Sequence, residues 1–438
     1  MDRSSLSELL QRFSRQGRDL FRRHLTFAAA QPARSRVELL SEMARELISN
    51  RGEASGVAIA TDMLRLYEAA GKPERAEFFS ALALEFNPNR SALTAAWKRF
   101  EAEGWSAYPD LVKVVEAPRQ EMLRRLNLAP GGTAALVKMR ADLLAMRDTP
   151  GAALVEADLA HLLQSWFNRG FLSMRAINWS SPANLLERVI GYEAVHHIRD
   201  WNDLRRRLDP PDRRCYAFFH PAMADDPLIF VEVALTRCIP DSIQDLLAPD
   251  RVPSTGADAN TAVFYSISNC QPGLRGISFG HFLIKQVATD LKREIPTLKH
   301  FVTLSPLPGF MAWLGVHDPA LAQAAEGDAS ASRDRLLASA IRYLLETKDK
   351  EGRPADPVAR FHLGNGARLE QLNWMADDSE KGLRQSAGMM VNYLYDLPAI
   401  EELHERFAKR GSITMGKPFR ELIAKLDPAL SNVMERHG

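Results

Sequence analysis

Ser305 stands where an apolar, strand-like run, His300 to Leu304, meets Pro306 and Pro308. Proline has no backbone N–H and rarely lies inside a sheet ladder, so the strand must stop there with a hydroxyl at the break. His362 lies in "FHLGNGA", between apolar neighbours and just ahead of Gly364 and Gly366. Imidazole is the side chain best suited to moving a proton near neutral pH. A hydroxyl and an imidazole, brought together, can relay a proton. Each also has a plainer reading: a serine that satisfies local backbone in a Pro-rich turn, and a buried histidine bonded to backbone.

A third stretch, "NCQPGLRGISFG", suits an anion. Gly273, Gly276 and Gly280 allow close backbone approach, and Arg275 adds a donor. The helix that follows offers unpaired N–H groups and a positive dipole end, so phosphate oxygens would find donors there. The spacing is neither GxGxxG nor GxxxxGK followed by Ser or Thr, which excludes dinucleotide-fingerprint and P-loop readings. A plain strand-to-helix turn is the alternative. Adjacent His196 and His197 point apart on a helix and do not suit one shared metal. Asn373, Trp374, Asn392 and Tyr395 form a polar-aromatic region that either lines a pocket or packs ordinarily.

Strands and one crossover must position these groups. "CYAFFH" and "LIFVEVAL" read as a hairpin, and "TAVFYSIS" as a third strand. After the glycine-bearing loop comes a helix with Leu283, Val287 and Leu291 on one side, and "HFVTL" is a fourth strand. Thr261 to Leu304 is therefore a βαβ crossover between parallel strands. Because Pro306 and Pro308 cannot extend the ladder, the two strands should part at their C-terminal ends. Open α/β sheets bind ligands at such places, and freed strand amides can pair with an amide-bearing arm.

Ahead of this region, to about residue 190, the chain reads as helix after helix. Leu6, Leu9, Leu10 and Phe13 make one amphipathic stripe; Val37, Leu40, Met43 and Leu47 make another; Leu159, Leu162, Leu163 and Trp166 make a third. Pro118 suits a first helical turn. With no fixed-period repeat, the expectation is a helical bundle. The 438 residues carry a formal net charge of +1 with 46% hydrophobic and 25% charged residues, which argues against broad electrostatic capture of nucleic acid. Three cysteines, Cys215, Cys238 and Cys270, lack metal-type spacing and suit a reducing compartment. No window is apolar enough for a membrane span, and no secretory signal is visible, so cytoplasm is the expected location.

Taken together and in order, "SPANLLERVIGYEAVHHI", "HPAMADDPLIFVEVALT", "FYSISNCQPGLRGISFGHFLIKQV", "FVTLSPLPGFMAWL" and "FHLGNGARLEQLNWMADDSEKGLRQSAGMMVNYLY" resemble malonyl-CoA decarboxylase. The resemblance implies an α+β chain. An N-terminal all-α bundle, residues 1–190, used for oligomerisation, precedes a GNAT-like mixed-sheet catalytic domain, residues 191–438, with flanking helices. It also implies conversion of malonyl-CoA to acetyl-CoA and carbon dioxide, in a homo-oligomer, dimer or tetramer; a thioester can take up the electron pair itself, so no cofactor is expected, and charge and hydropathy leave neither nucleic acid nor membrane as an expected partner. By the same carry-over Ser305 and His362 are catalytic, Arg275, Gly276, Ile277, Ser278, Phe279, Gly280 and His281 form the acyl-CoA loop, and Tyr395 lies near the pocket. Some relatives carry an acidic residue where this chain has Ser278. Two other readings share the acyl-CoA site: a GNAT-type N-acyltransferase, which needs a groove for an amine acceptor, and a non-catalytic acyl-CoA-binding scaffold.

Overall fold

The structure is a computed structural model and describes residues 34–49, 52–277 and 283–426. The Leu6–Phe13 stripe lies outside the described residues. The chain divides into two compact units. One contains residues 34–172 with the short segments 220–224 and 271–277; the other contains residues 173–219, 225–270 and 283–426.

The first unit is helical: α1 Arg36–Ile48, α2 Glu53–Glu68, α3 Lys72–Glu85, α4 Arg90–Glu103, α5 Tyr108–Val115, α6 Pro118–Asn127, α7 Gly132–Ala145 and α8 Ala152–Trp166. Helix α1 begins at a capping box. Ser35 Oγ accepts from the Glu38 N–H, and the Glu38 carboxylate accepts from the Ser35 N–H, so two otherwise orphaned donors are satisfied. Leu163 is buried; Val37, Leu40 and Leu47 of the expected stripe are buried and Met43 packs beside them, as do Leu159 and Leu162 with Trp166. They meet Phe78, Phe79, Met122 and Leu126 in one core. Each such side chain contributes about 1.5–3 kcal/mol relative to exposure.

This core also holds charge. Arg119 on α6 is ion-paired through Nε with Asp158 on α8, and the two residues are only 5% and 9% exposed. Arg119 Nη1 also donates to Asn87 Oδ1 at 2.5 Å, and Gln120 Nε2 donates to Asp158 Oδ1 at 2.5 Å. The pair is thus hydrogen-bonded on both sides, the condition under which buried charge is tolerable.

The second unit is built on a mixed sheet. Strands β1 Ser173–Ile177, β2 Arg213–Phe219, β3 Ile229–Thr236 and β4 Thr261–Asn269 pair antiparallel in sequence order. β1 therefore falls within the stretch read as helical to residue 190. Its burial pattern leaves four of five residues at least partly exposed, so no apolar alternation marked it. Helix α9, Leu283–Glu294, carries the chain across to β5 His300–Thr303, parallel to β4 as expected. β6 Ser305–Pro306, β7 Arg368–Asn373 and β8 Met390–Leu394 complete the sheet in the order β1-β2-β3-β4-β5-β8-β6, with β7 also on β8. The fold is α+β: a helical N-terminal region, then a mixed sheet with flanking helices.

The β4–β5 ladder runs from Thr261↔His300 to Phe264↔Thr303 and ends with Leu304 N–H donating to Phe264 O at 3.2 Å. The next two residues change partner: Ser305 pairs with Val391 and Pro306 with Met390 on β8. β4 continues to Asn269 without β5 beside it. Pro306 is compatible with this geometry because it makes no ladder bond towards β4. The strands part where the prolines required.

Candidate active site

Ser305 and Thr303 are two residues apart on an extended chain, so their side chains leave on the same face. Ser305 Oγ–H donates to Thr303 Oγ1 at 2.9 Å, and Thr303 Oγ1 also accepts from the Tyr393 N–H at 3.2 Å. Asn392, central in β8, donates from Nδ2 to Thr303 O at 2.8 Å and accepts from Asn373 Nδ2 at 2.6 Å. The strand end bearing Ser305 is therefore tied to β8 by side chains as well as by backbone.

His362 is placed by a short helix, α10, Pro357–Gly364. Asp356 caps it, accepting from the Val358 and Ala359 N–H groups at 2.9 Å each, and Pro357 supplies a pre-set first turn. Asp356 also accepts from the Tyr343 hydroxyl at 3.2 Å. At the other end Gly366 turns the chain at φ +78°. A Cβ there would lie 2.2 Å from Ile400 O, so only glycine fits. The second glycine of "GNG" thus serves the geometry of the helix that holds the imidazole.

These elements bring the two sequence candidates together. Ser305 Oγ lies 3.1 Å from His362 Nε2. The Tyr395 hydroxyl lies 2.7 Å from His362 Nδ1. The imidazole stacks on Tyr393, with ring centroids 4.6 Å apart and planes at 26°. Ser305 and His362 are 7% and 3% exposed. Neither plainer reading survives: both ring nitrogens of His362 bond side chains, and Ser305 Oγ bonds Thr303 and His362. Thr303 and Tyr393 were missed by sequence reasoning. The hydroxyls two apart in "TLS" were the available signal for Thr303; Tyr393 needed the strand register.

Burial pushes the His362 imidazole down to about 3, so the ring is neutral at ordinary pH. The Tyr395 phenol is pushed well above its usual value, also by burial. Linkage gives the first of these a measurable consequence. An unfolded histidine titrates near ~6.5, so below that pH the unfolded chain binds a proton the folded chain refuses. Stability contributed by this group is complete above ~6.5 and falls as pH drops towards 3. Between pH 6 and 4, wild type should lose about 1.4 kcal/mol per pH unit more than a His362→Asn variant. Urea unfolding of both proteins across that range checks this, and a pH-independent difference would show that the ring charges freely in the folded state.

The acyl-CoA loop candidates divide differently. Arg275, Gly276 and Ile277 belong to the helical unit. Arg140 Nη1 donates to Gly273 O at 2.6 Å and to Arg275 O at 3.0 Å, and its guanidinium is paired with Glu156 at 2.6 Å. Arg275 and Gly276 border a cleft of about 460 Å³ that also has Arg147, Leu143 and Ala152 in its wall. Gly273 has a packing reason for being glycine: a Cβ would sit 1.8 Å from Val137 O on α7. Ser278, Phe279, Gly280 and His281 lie outside the described residues. Among the described residues no group of three or more His, Cys, Asp or Glu is disposed to hold a metal ion, and no helix is long and apolar enough to cross a membrane.

Comparison with known proteins gives the family. The model of the malonyl-CoA decarboxylase C-terminal domain matches residues 170–331 and 316–433, and that of the N-terminal domain matches residues 86–167. The chain is 36% identical over 335 residues to the mitochondrial malonyl-CoA decarboxylase of Rattus norvegicus, covering 66% of this chain and 68% of that protein. It is 33% identical over 376 residues to the corresponding protein of Anser anser anser, covering 74% of each. The crystal structure of malonyl-CoA decarboxylase from Rhodopseudomonas palustris superposes with a TM-score of 0.84 at 49% identity, covering 88% of this chain and 99% of that one. The Agrobacterium vitis structure gives 0.83 at 48%, covering 87% and 99%. Both halves of the chain, its helical region and its sheet unit, thus match one family, and this protein belongs to the malonyl-CoA decarboxylases.

Proposed function

We propose that this enzyme releases carbon dioxide from malonyl-CoA through a thioester enolate, with Ser305 and His362 handling the proton. The observation that carries the reading is the contact of 3.1 Å between Ser305 Oγ and His362 Nε2, at the place where β4 and β5 part. As the carboxylate leaves as CO2, its bonding pair moves through the α-carbon into the thioester carbonyl. The thioester is its own electron sink, so the chemistry asks for no metal. What the protein must add is donors for the developing oxyanion and one proton for the α-carbon.

In this reading the proton reaches carbon from the Ser305 hydroxyl, which takes the Nε2 proton of His362. As Nε2 gives up its proton, Nδ1 takes that of the Tyr395 hydroxyl 2.7 Å away, so the ring stays neutral; one proton from solvent then resets the chain for each CO2 released. Parted strand edges suit the amides of pantetheine. The loop from Arg275 to His281 takes the CoA diphosphate, with Arg275 as its cation and Gly276 leaving the backbone open; Tyr395 supports the reaction end. Malonyl-CoA is the substrate and acetyl-CoA the product.

The test is incubation of purified, chelator-treated protein with malonyl-CoA alone. Stoichiometric CO2 and acetyl-CoA are expected. Acyl transfer that requires an added amine, or tight binding with no turnover, would replace this reading with one of its two rivals.

A further inference from the structure

The hydroxyl of Ser305 has one proton and two groups within reach of it, Thr303 Oγ1 at 2.9 Å and His362 Nε2 at 3.1 Å. The Ser305–Thr303 contact admits Ser305 as donor and Thr303 Oγ1 as acceptor, at 2.9 Å. This is not a general property of hydroxyl pairs in the molecule: at Ser266–Ser268, 3.2 Å apart, either oxygen can donate. When that proton goes to Thr303, Ser305 Oγ accepts from His362 Nε2, 3.1 Å away. In that arrangement Nε2 carries the imidazole proton. A neutral ring with N–H at Nε2 has a bare lone pair at Nδ1. The group facing Nδ1 is the Tyr395 hydroxyl at 2.7 Å, which must then be the donor. Among the described residues that hydroxyl has no second hydrogen-bond partner, so its proton is free for this bond.

We infer that Tyr395 is a positioning residue that sets the tautomer of His362, in a hydrogen-bond chain polarised from Tyr395 through His362 and Ser305 to Thr303. The inference rests on the Ser305–His362 reading above and deepens it. The polarity is opposite to that of a serine nucleophile, whose hydroxyl points at a bare Nε2 while a carboxylate holds Nδ1–H. Here Nδ1 faces a phenol, and burial keeps both phenol and imidazole uncharged. Ser305 is thereby held with an N–H behind its oxygen, arranged to give a proton and be refilled. The same wiring disfavours attack by Ser305 on the thioester carbonyl, so no acyl-enzyme is formed. Thr303 is the second positioning residue, because it takes the Ser305 proton and anchors the chain to β8 through the Tyr393 N–H.

The wiring is read directly by 15N NMR of histidine-labelled enzyme without substrate. His362 is one of 11 histidines and is assigned by its absence from the His362→Asn spectrum. The expected spectrum has a protonated Nε2 and an unprotonated, hydrogen-bonded Nδ1. Tyr395→Phe should move the Nδ1 resonance to that of an unbonded nitrogen. It should also lower kcat about tenfold, the equivalent of one ~1.4 kcal/mol hydrogen bond, with KM nearly unchanged. Thr303→Val should free the Ser305 proton to turn towards Nε2 and populate Nδ1–H, whereas Thr303→Ser should keep the wild-type pattern. A wild-type ring protonated at Nδ1, or an Nδ1 resonance indifferent to Tyr395→Phe, overturns the inference. The spectrum needs no turnover, so that failure is distinct from a failure to release CO2, which would instead overturn the reaction proposed for the site.

Discussion

His362→Asn is expected to lower CO2 release from malonyl-CoA by on the order of a hundred- to ten-thousandfold, the range supplied by a positioned proton-transfer group. Asparagine can occupy the space and keep a hydrogen bond to Ser305, but it cannot pass a proton at neutral pH. Ser305→Ala should cost about as much, since in the proposed relay it removes the atom between the imidazole and the substrate. The double variant should be little worse than either single one, because groups that act in one relay lose their function together. Steady-state CO2 release, with acyl-CoA affinity measured separately, checks all three. Near-native turnover by both single variants would dismiss Ser305 and His362 as the site, while fully additive losses would dismiss their action as a pair.

Asp158→Ala should destabilise the helical unit by about 3–5 kcal/mol. The loss exceeds what the ion pair is worth on balance, because truncation leaves the 5%-exposed Arg119 guanidinium charged and short of its partner. A joint Arg119→Met, Asp158→Leu exchange should recover most of it, since neither charge then needs water. Urea unfolding followed by circular dichroism measures both. A single variant within about 1 kcal/mol of wild type would mean that water reaches Arg119 in the folded unit.

The crossover from β4 to β5 was legible because its elements announce themselves by period: Val263, Phe264 and Tyr265 in an apolar run, then Leu283, Val287 and Leu291 at helical spacing. Two prolines marked the parting of the strands before any coordinate did. The other edge of the site was not legible. β8 reads "MVNYL" with every residue buried, and Asn392 at its centre breaks the apolar run. That asparagine is at home because Asn373, Thr303 O and Pro240 O satisfy it, a fact of tertiary placement that local sequence does not contain. β7 mixes polar and apolar residues across a register shift between Leu369 and Gln371, so its period is blurred. Ser305 and His362 were each ambiguous alone and became specific only as parts of a set of motifs. Gly273 was expected to admit a phosphate; it admits the carbonyl of Val137.

The placement of β8 between β5 and β6 has a bearing on how the enzyme is made. β5 pairs with β8 through Val302↔Leu394, and β6 through Ser305↔Val391, so the strand end that holds the serine is completed by residues synthesised almost ninety positions later. A nascent chain halted before residue 390 has Ser305 and His362 yet lacks the strand that pairs with both β5 and β6. Long-range strand insertion of this kind is slow compared with local helix formation. Catalytic competence should therefore arrive late on the ribosome and all at once, so that truncated translation products are left unable to consume malonyl-CoA.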